Sequence, residues 1–478
     1  MTQLATRPKA TNFADKLGTV LISGKEVYPI IEGGKGVAVS NGNSAGAFAA
    51  SNAVGTFSGV NPERYDANGD VIPYVYHATT RKARHEELVA MSIDGAVQQA
   101  KRAYEISGGA GRVHMNVLWE MGGAERVLTG TLEQAGQFIH GITCGAGMPY
   151  KLGEIAEHYK VYYHPIVSSM RAFRALWKRS YHKTKSWIGS VVYEDPWLAG
   201  GHNGLSNGED PKVPQNPYPR VAELRSFMNE VGLNEVPIIM AGGAWHLHEW
   251  EHWLDNPEIG AIAFQFGTRP LLTKESPIPN VWKKRLLTLK KGDVFLNRFS
   301  PTGFYSSAVN NEFIKELRGR EERQMSFSSA QEGEFTASIP FGARKRPIYV
   351  SAADYERAQT YMASGYDEMM KTPDDTVIFV RSETALQIHE DQVNCMGCLS
   401  HCRFSNWKDH DDFTTGKKAD PRSFCIQKTL QNIAYGSNVE HNLMFSGHNA
   451  YRFGEDEFYQ NGFIPTVAQL VERIRTGY

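Results

Sequence analysis

Up to about residue 280 the chain repeats one rhythm: a short β-rich run, a glycine-rich break, then a longer stretch of helical period. The β-rich runs are VYPII (27–31), VGTFSGV (54–60), RVHMNVL (112–118), GITCG (141–145), KVYYHPI (160–166), WIGSVVY (187–193), VPIIMAG (236–242) and AIAFQFG (261–267). Helical segments such as SIDGAVQQAKRAYEI (92–106), TLEQAGQFIHGI (131–142) and RVAELRSFMNEVG (220–232) lie between them. Strands that alternate with helices pair in parallel, because each return needs a crossover. Eight such units favour a closed (β/α)8 TIM barrel over an open doubly wound sheet. In that α/β fold, function sits in the loops after the C-terminal strand ends. Here those loops are rich in glycine.

After about residue 285 the rhythm stops. The segment KELRGREERQMSFSSAQEGEFTASIPFGARKRP (315–347) is polar and irregular, and reads as an extended excursion. A helix over 351–371, a strand over 375–382, a helix over 425–436 and a terminal helix over 467–478 are predicted beyond it. The expected organisation is an N-terminal arm (1–20), a barrel (21–310) and a C-terminal extension (311–478) packed on the barrel.

The 478 residues carry a net charge of −1, so no global field recruits nucleic acid or acidic lipid. The opening MTQLATRPKATNFADKLGTVL lacks the apolar core of a signal peptide, and no stretch approaches a membrane span. Five unevenly spaced cysteines do not resemble a secreted disulfide framework. The expectation is a cytoplasmic protein with reduced thiols.

Five strand ends carry the candidate site. AGGAW (241–245) follows the seventh strand and QFGTR (265–269) the eighth. Successive glycines let the backbone approach a ligand and turn N–H groups inward, and a helix starting there would add partial positive charge. Gly242 and Gly243 alone could serve only a tight turn. With Gly267 and Thr268 at the next strand end, a phosphate cradle becomes the better reading. YEDPWLAGGHNG (193–204) follows the sixth strand and sets His202 behind Gly200 and Gly201. An imidazole there can take or give a proton near neutral pH. IIEGGKG (30–36) forms the break after the first strand, and Asn116 ends the third.

The ordered set, with AFQFGTRPLLTKES and PTGFYSSAVNNEFI (301–314), resembles the nitronate monooxygenase (2-nitropropane dioxygenase) family of FMN barrels, which includes flavin-dependent enoyl reductases. The resemblance implies FMN, with its phosphate on Gly242, Gly243, Gly267 and Thr268. It implies that Asn116, Gly33 and Gly34 lie against the isoalloxazine, with Gln265 beside them, and that His202 is the acid/base near flavin N5. Members usually carry a glutamine-glycine-proline-methionine type turn where this chain has EGGKG (32–36). Glu32 is accordingly an expected flavin contact. A carboxylate there would disfavour an anionic reduced flavin.

CMGCLSHC (395–402) sets three of the five cysteines in eight residues, and Cys425 follows. Cys395, Cys398, Cys402 and Cys425 can close a four-sulfur site, holding either a 4Fe-4S cluster or structural zinc. The three-plus-one spacing is more typical of the cluster. His401 and His410 are reserve ligands, and Cys144 reads as a packing residue. Longer members of the resembled family carry a cysteine cluster after the barrel. Three functions then compete: a small-molecule reductase fed through the cluster, an oxygen-dependent nitronate monooxygenase with structural zinc, and a flavin-binding sensor without turnover. RAFRALWKRSYHKTKSW (171–187) carries six basic residues. It reads first as a solvated outer helix, and alternatively as a docking patch for a ferredoxin-like electron donor or an acidic carrier. Oligomeric state and the choice between NADH and NADPH have no signature in the sequence.

Overall fold

The computed structural model describes residues 13–410 and 412–478. The expected N-terminal arm and the leader region therefore lie, up to residue 12, outside the described residues. Each of the eight predicted runs overlaps a barrel strand: β1 (Ile30–Glu32), β2 (Val54–Ser58), β3 (Arg112–Leu118), β4 (Gly141–Gly145), β5 (Tyr162–Val167), β6 (Val191–Glu194), β7 (Ile238–Ala241) and β8 (Ile262–Phe266). They close in chain order, with β8 pairing β1 in parallel at Phe266 and Glu32. Strands such as β2, β4 and β7 are buried at every position. That explains why they read as runs without alternation, since helices cover the outer face.

The helices α1 (Gly42–Ala50), α2 (Arg81–Ser107), α3 (Ala124–Ala135), α4 (Leu152–Tyr159), α5 (Met170–Arg179) and α6 (Pro217–Glu230) follow the first six strands in turn. Local capping sets their starts: Asn41 accepts from Ser44 N, Thr80 from Ala83 N and Ser169 from Ala172 N. After β7 and β8 the pattern changes. Both breaks lead into 3-10 turns, Leu247–Trp253 and Arg269–Leu272, rather than α-helices. The helix dipole expected to assist a phosphate there is thus replaced by loop N–H groups alone.

Beyond the barrel, strands Val294–Asn297 and Ser306–Val309 form a hairpin. The second of these pairs Gly201 and His202 with Ser307 and Ser306, so the glycine-histidine loop is itself stitched into a small antiparallel sheet. The excursion expected over 315–347 is instead structured: a helix Glu312–Glu322 and strands Gln324–Ser326, Ala337–Phe341 and Arg346–Val350. The predicted helix over 351–371 ends at Ala363, and a strand Glu368–Lys371 follows. These elements enclose their own core of Met325, Ile339, Ile348, Val350, Ala358, Val377 and Phe379. The hairpin 337–350 buries only part of each strand, so its apolar residues are too sparse to show as a periodic signal.

The remainder joins the barrel core. Leu399, Cys402, Phe404, Trp407, Leu430, Val467 and Ile474 share one buried cluster with barrel residues such as Val117, Leu128 and Phe264. Helices Ile426–Tyr435 and Val467–Arg475 match the two predicted near the C-terminus. No helix among the described residues is long and apolar enough to cross a membrane.

Candidate active site

A cavity of about 790 Å3 opens at the C-terminal strand ends. Its wall contains Gly33, Gly34, Asn116, Gly200, Gly201, His202, Gly242, Gly243, Gln265, Gly267 and Thr268. Eleven of the twelve residues singled out for flavin and proton chemistry thus meet around one space. Their backbone explains the residue types. Gly242 and Gly243 hold φ of +87° and +86°, a region that L side chains rarely enter. Gly34 lies so close to Asn116 that a Cβ would stand 2.2 Å from the Asn116 Cβ.

Glu32 is the exception. Its carboxylate is fully buried and turned away from the cavity, accepting from Ser44 Oγ at 2.7 Å, Lys35 Nζ at 3.2 Å and Thr56 N at 3.4 Å. Glu32, an expected flavin contact, is therefore not among the residues that line the cavity. Lys35 lines the cavity in its place, with Nζ also donating to Gly33 O at 2.7 Å. Burial lowers the Lys35 pKa, opposed by the Glu32 charge beside it. The pair keeps the Glu32 charge from acting alone on the cavity.

His202 donates to or accepts from Ser300 Oγ through Nε2 at 2.6 Å, and Phe445 packs edge-on to its ring. Desolvation lowers its pKa to about 4, so the imidazole is neutral at pH 7. Glu194, at the end of β6, also lines the cavity. Burial, and then the neighbouring Asp195, raises its pKa to about 8, so it is a neutral acid below that pH.

The wall around Gly242, Gly243, Gly267 and Thr268 gains residues that the strand-end motifs did not disclose. Gly447 N donates to Thr268 Oγ1 at 3.0 Å, and Asn449 Nδ2 to Gly243 O at 2.6 Å. Ser446 lines the cavity with a buried hydroxyl that has no protein partner. Arg269 is likewise buried in the wall with one guanidinium nitrogen, NH2, lacking a hydrogen-bond partner, although Asp456 lies 3.6 Å from it. A Cβ on Gly267 would meet nothing within 4 Å. Open space beside inward glycines, with an orphaned hydroxyl, fits the phosphate of FMN. The residues that would hold it are Gly242, Gly243, Gly267, Thr268 and Ser446.

The cysteine loop docks on the barrel directly. Gly122 N donates to Cys398 O at 2.9 Å, Ser400 N to Glu120 O at 2.7 Å, and Met121 bridges Leu399. His85, nearly fully buried, bonds Gly397 O through Nδ1 at 3.0 Å. Cys395, Cys398, Cys402 and Cys425 line one small cavity with Asp391, Met396, Phe404, Ser405 and Ile426. Burial first, and then the neighbouring sulfurs, push the Cys398 thiol up, while Cys402 is raised to about 11 and Cys425 to about 12, chiefly by burial. Ser405 Oγ at 3.1 Å and Gly397 N at 3.4 Å donate to Cys395 Sγ. Neither reserve ligand, His401 or His410, is in this wall. Among the described residues, no three His, Cys, Asp or Glu side chains are gathered as ligands of one metal ion. Cys398 and Ile426 line both the small cavity and the large one. Cys144 is fully buried in the barrel core, as its packing role required.

On α5, Ala172 and Leu176 line the large cavity while Arg171, Arg174, Lys178 and Arg179 face solvent, as do Lys183 and Lys185 beyond it.

The family model for nitronate monooxygenase matches residues 20–377. No curated protein matches the chain. Among solved structures, the enoyl reductase domain of MlnA from the macrolactin biosynthesis cluster of Bacillus amyloliquefaciens is 10% identical, covering 98% of this chain and 96% of that one with a TM-score of 0.53. FabK from Thermotoga maritima is 14% identical, with 98% and 95% covered and a TM-score of 0.47. Nitroalkane oxidase from Streptomyces ansochromogenes is 17% identical, with 64% and 80% covered and a TM-score of 0.44. With the whole barrel inside the family match, the chain belongs to the nitronate monooxygenase family and is an FMN-dependent oxidoreductase.

Proposed function

We propose that this enzyme acts on a small molecule with His202 as its acid/base, and that its four cysteines hold a 4Fe-4S cluster exchanging electrons with the flavin. The observation that carries this reading is the shared wall: Cys398 belongs to both the four-cysteine cavity and the large cavity. The four cysteines line one small cavity, and a four-iron core takes one thiolate on each iron. Hydrogen bonds from Ser405 and Gly397 to Cys395 are of the kind that tune such a centre.

FMN, when bound, supplies hydride exchange with a substrate carbon and one-electron exchange with a carrier. The chain's own residues set the geometry. Gly33 and Gly34 would let the β1 loop lie against a bound flavin ring, and Asn116 would supply an amide at the end of β3. His202, neutral and held at Nε2 by Ser300, has Nδ1 with which to exchange a proton at the reacting carbon. Glu194 offers a neutral carboxylic O–H. Where substrate and flavin fill the mostly apolar cavity and displace water, each of these polar contacts is strengthened. The basic face of α5 is compatible with an acidic carrier, because the same helix lines the large cavity with Ala172 and Leu176. No residue of α5 lines the cysteine cavity, so its position favours a substrate carrier over an electron donor.

The test is an optical spectrum of protein purified without oxygen, with flavin, iron and zinc quantified on the same sample. About four irons per chain beside one flavin support the cluster. Cys398→Ser is then expected to lose the iron and keep the flavin. One zinc and no iron would remove the relay. It would favour the second reading, oxygen-dependent nitronate oxidation, which the family match supports and which oxygen uptake with propyl nitronate would register.

A further inference from the structure

The partition between the two cavities contains a side chain whose chemistry is unused. Gln427 lies in the first turn of helix Ile426–Tyr435, beyond the end of the family match at residue 377. It is 1% exposed and lines the large cavity. Its Oε1 accepts from Asn61 Nδ2 at 2.5 Å. Asn61, also in the cavity wall, is oriented in turn by Ser92 Oγ, which donates to Asn61 Oδ1 at 3.0 Å. Both amides are therefore fixed from behind. The consequence falls on Gln427 Nε2, which is buried and has no hydrogen-bond partner. A buried amide donor left without a partner is destabilising relative to one that is satisfied. A buried unsatisfied group calls for an explanation, and a ligand that supplies the acceptor is one.

The surroundings describe the acceptor. Val60, Met121, Leu399, Ile426 and Leu430 contribute apolar wall to the same cavity. An apolar body with one acceptor oxygen fits this combination. When hydride adds to an enoyl carbon, or a nitroalkane loses its α-proton, the oxygen conjugated to the reacting carbon gathers negative charge. A fixed N–H at that oxygen is worth more in the activated form than in the resting one. We propose that Gln427 Nε2 is the hydrogen-bond donor to the conjugated oxygen of the substrate, a carbonyl or nitro oxygen on an otherwise apolar molecule, and that Asn61 holds it in the donating orientation. The inference rests on the large cavity holding both FMN and substrate.

The experiment uses the full chain loaded with FMN and two unreacted probes: the crotonyl thioester of N-acetylcysteamine, and nitroethane in its neutral form. Binding to the oxidised protein is read from the flavin difference spectrum. Gln427→Leu removes the donor at similar volume, and is expected to weaken the tighter probe about tenfold, the effect of one buried hydrogen bond. Asn61→Asp leaves Gln427 in place. A carboxylate only accepts, so Gln427 Nε2 turns toward it and Oε1 faces the cavity. The same probe is expected to weaken comparably, while flavin content and absorption stay at their wild-type values. This second variant carries the test if Gln427→Leu does not fold. Which probe binds more tightly distinguishes a carbonyl substrate from a nitro substrate. Unchanged affinity in either folded variant would overturn the assignment of Gln427, as would failure of the wild-type holoprotein to bind both probes. Wild-type protein that takes up no FMN would instead overturn the flavin reading itself.

Discussion

A single methyl group at Gly267 separates the stability of the fold from the binding of its cofactor. A Cβ there meets nothing within 4 Å, so Gly267→Ala is expected to leave the flavin-free protein at its normal melting temperature. Gly34→Ala is the contrast. Its Cβ would lie 2.2 Å from Asn116 Cβ and 2.5 Å from Cγ. Carbon atoms prefer about 3.5–4.0 Å, and overpacking of this kind costs about 1–3 kcal/mol. If the space beside Gly267 belongs to the FMN phosphate, the added methyl displaces it, and we expect at least a tenfold loss of FMN affinity. Linkage gives the readout. At a ligand concentration 100 times Kd, binding stabilises the fold by about 2.7 kcal/mol, and a tenfold weaker site leaves about 1.4 kcal/mol. Melting curves with and without FMN, together with a flavin fluorescence titration, measure both quantities. Wild-type FMN affinity in Gly267→Ala would refute the placement of the phosphate. A flavin-free melting temperature as low as that of Gly34→Ala would refute the packing argument.

His202→Asn is expected to keep FMN and lower kcat by about 10²–10⁴-fold, the usual weight of a positioned acid/base. Because burial lowers the His202 pKa to about 4, the acid limb of kcat/KM should fall near that pH; a limb near the ordinary 6.5 would contradict the desolvation. In the barrel interior, His114 and His164 stack, share Ser23 Oγ at 2.9 and 3.0 Å, and are held neutral by burial, His164 at about 3. An unfolded histidine takes up a proton near 6.5, so this contribution to stability is complete above that pH and is lost as pH falls toward the folded value. Thermal melts should therefore decline on the acid side of 6.5, and His164→Gln should flatten that decline.

Recognition of the barrel needed only local signals. Each strand run is bounded by its own glycine break, and repetition of the unit leaves few topologies to choose among. The glycine-rich strand ends were legible for the same reason. A backbone that must adopt φ near +87°, as at Gly242, restricts the residue type at that position alone. The direction of a side chain was not legible. Barrel strands are buried on both faces, so no alternation reveals which face Glu32 takes, and Ser44, Lys35 and Thr56 hold it away from the cavity. The hairpin 337–350 escaped because its apolar residues pack in a small satellite core rather than along a periodic face.

By itself, then, the sequence determined the barrel, the location of its working end, and three sulfurs within eight residues. Tertiary structure alone decided what completes the site. Gly447 and Asn449 reach Thr268 and Gly243 from 179 and 206 positions away, and Ser446 joins the same wall. Gln427 meets Asn61 across 366 positions, and Cys398 comes to border both cavities. Contacts of that range leave no spacing to read. They arise because the extension buries its apolar residues against the barrel, and that packing carries their polar neighbours into the cavity wall.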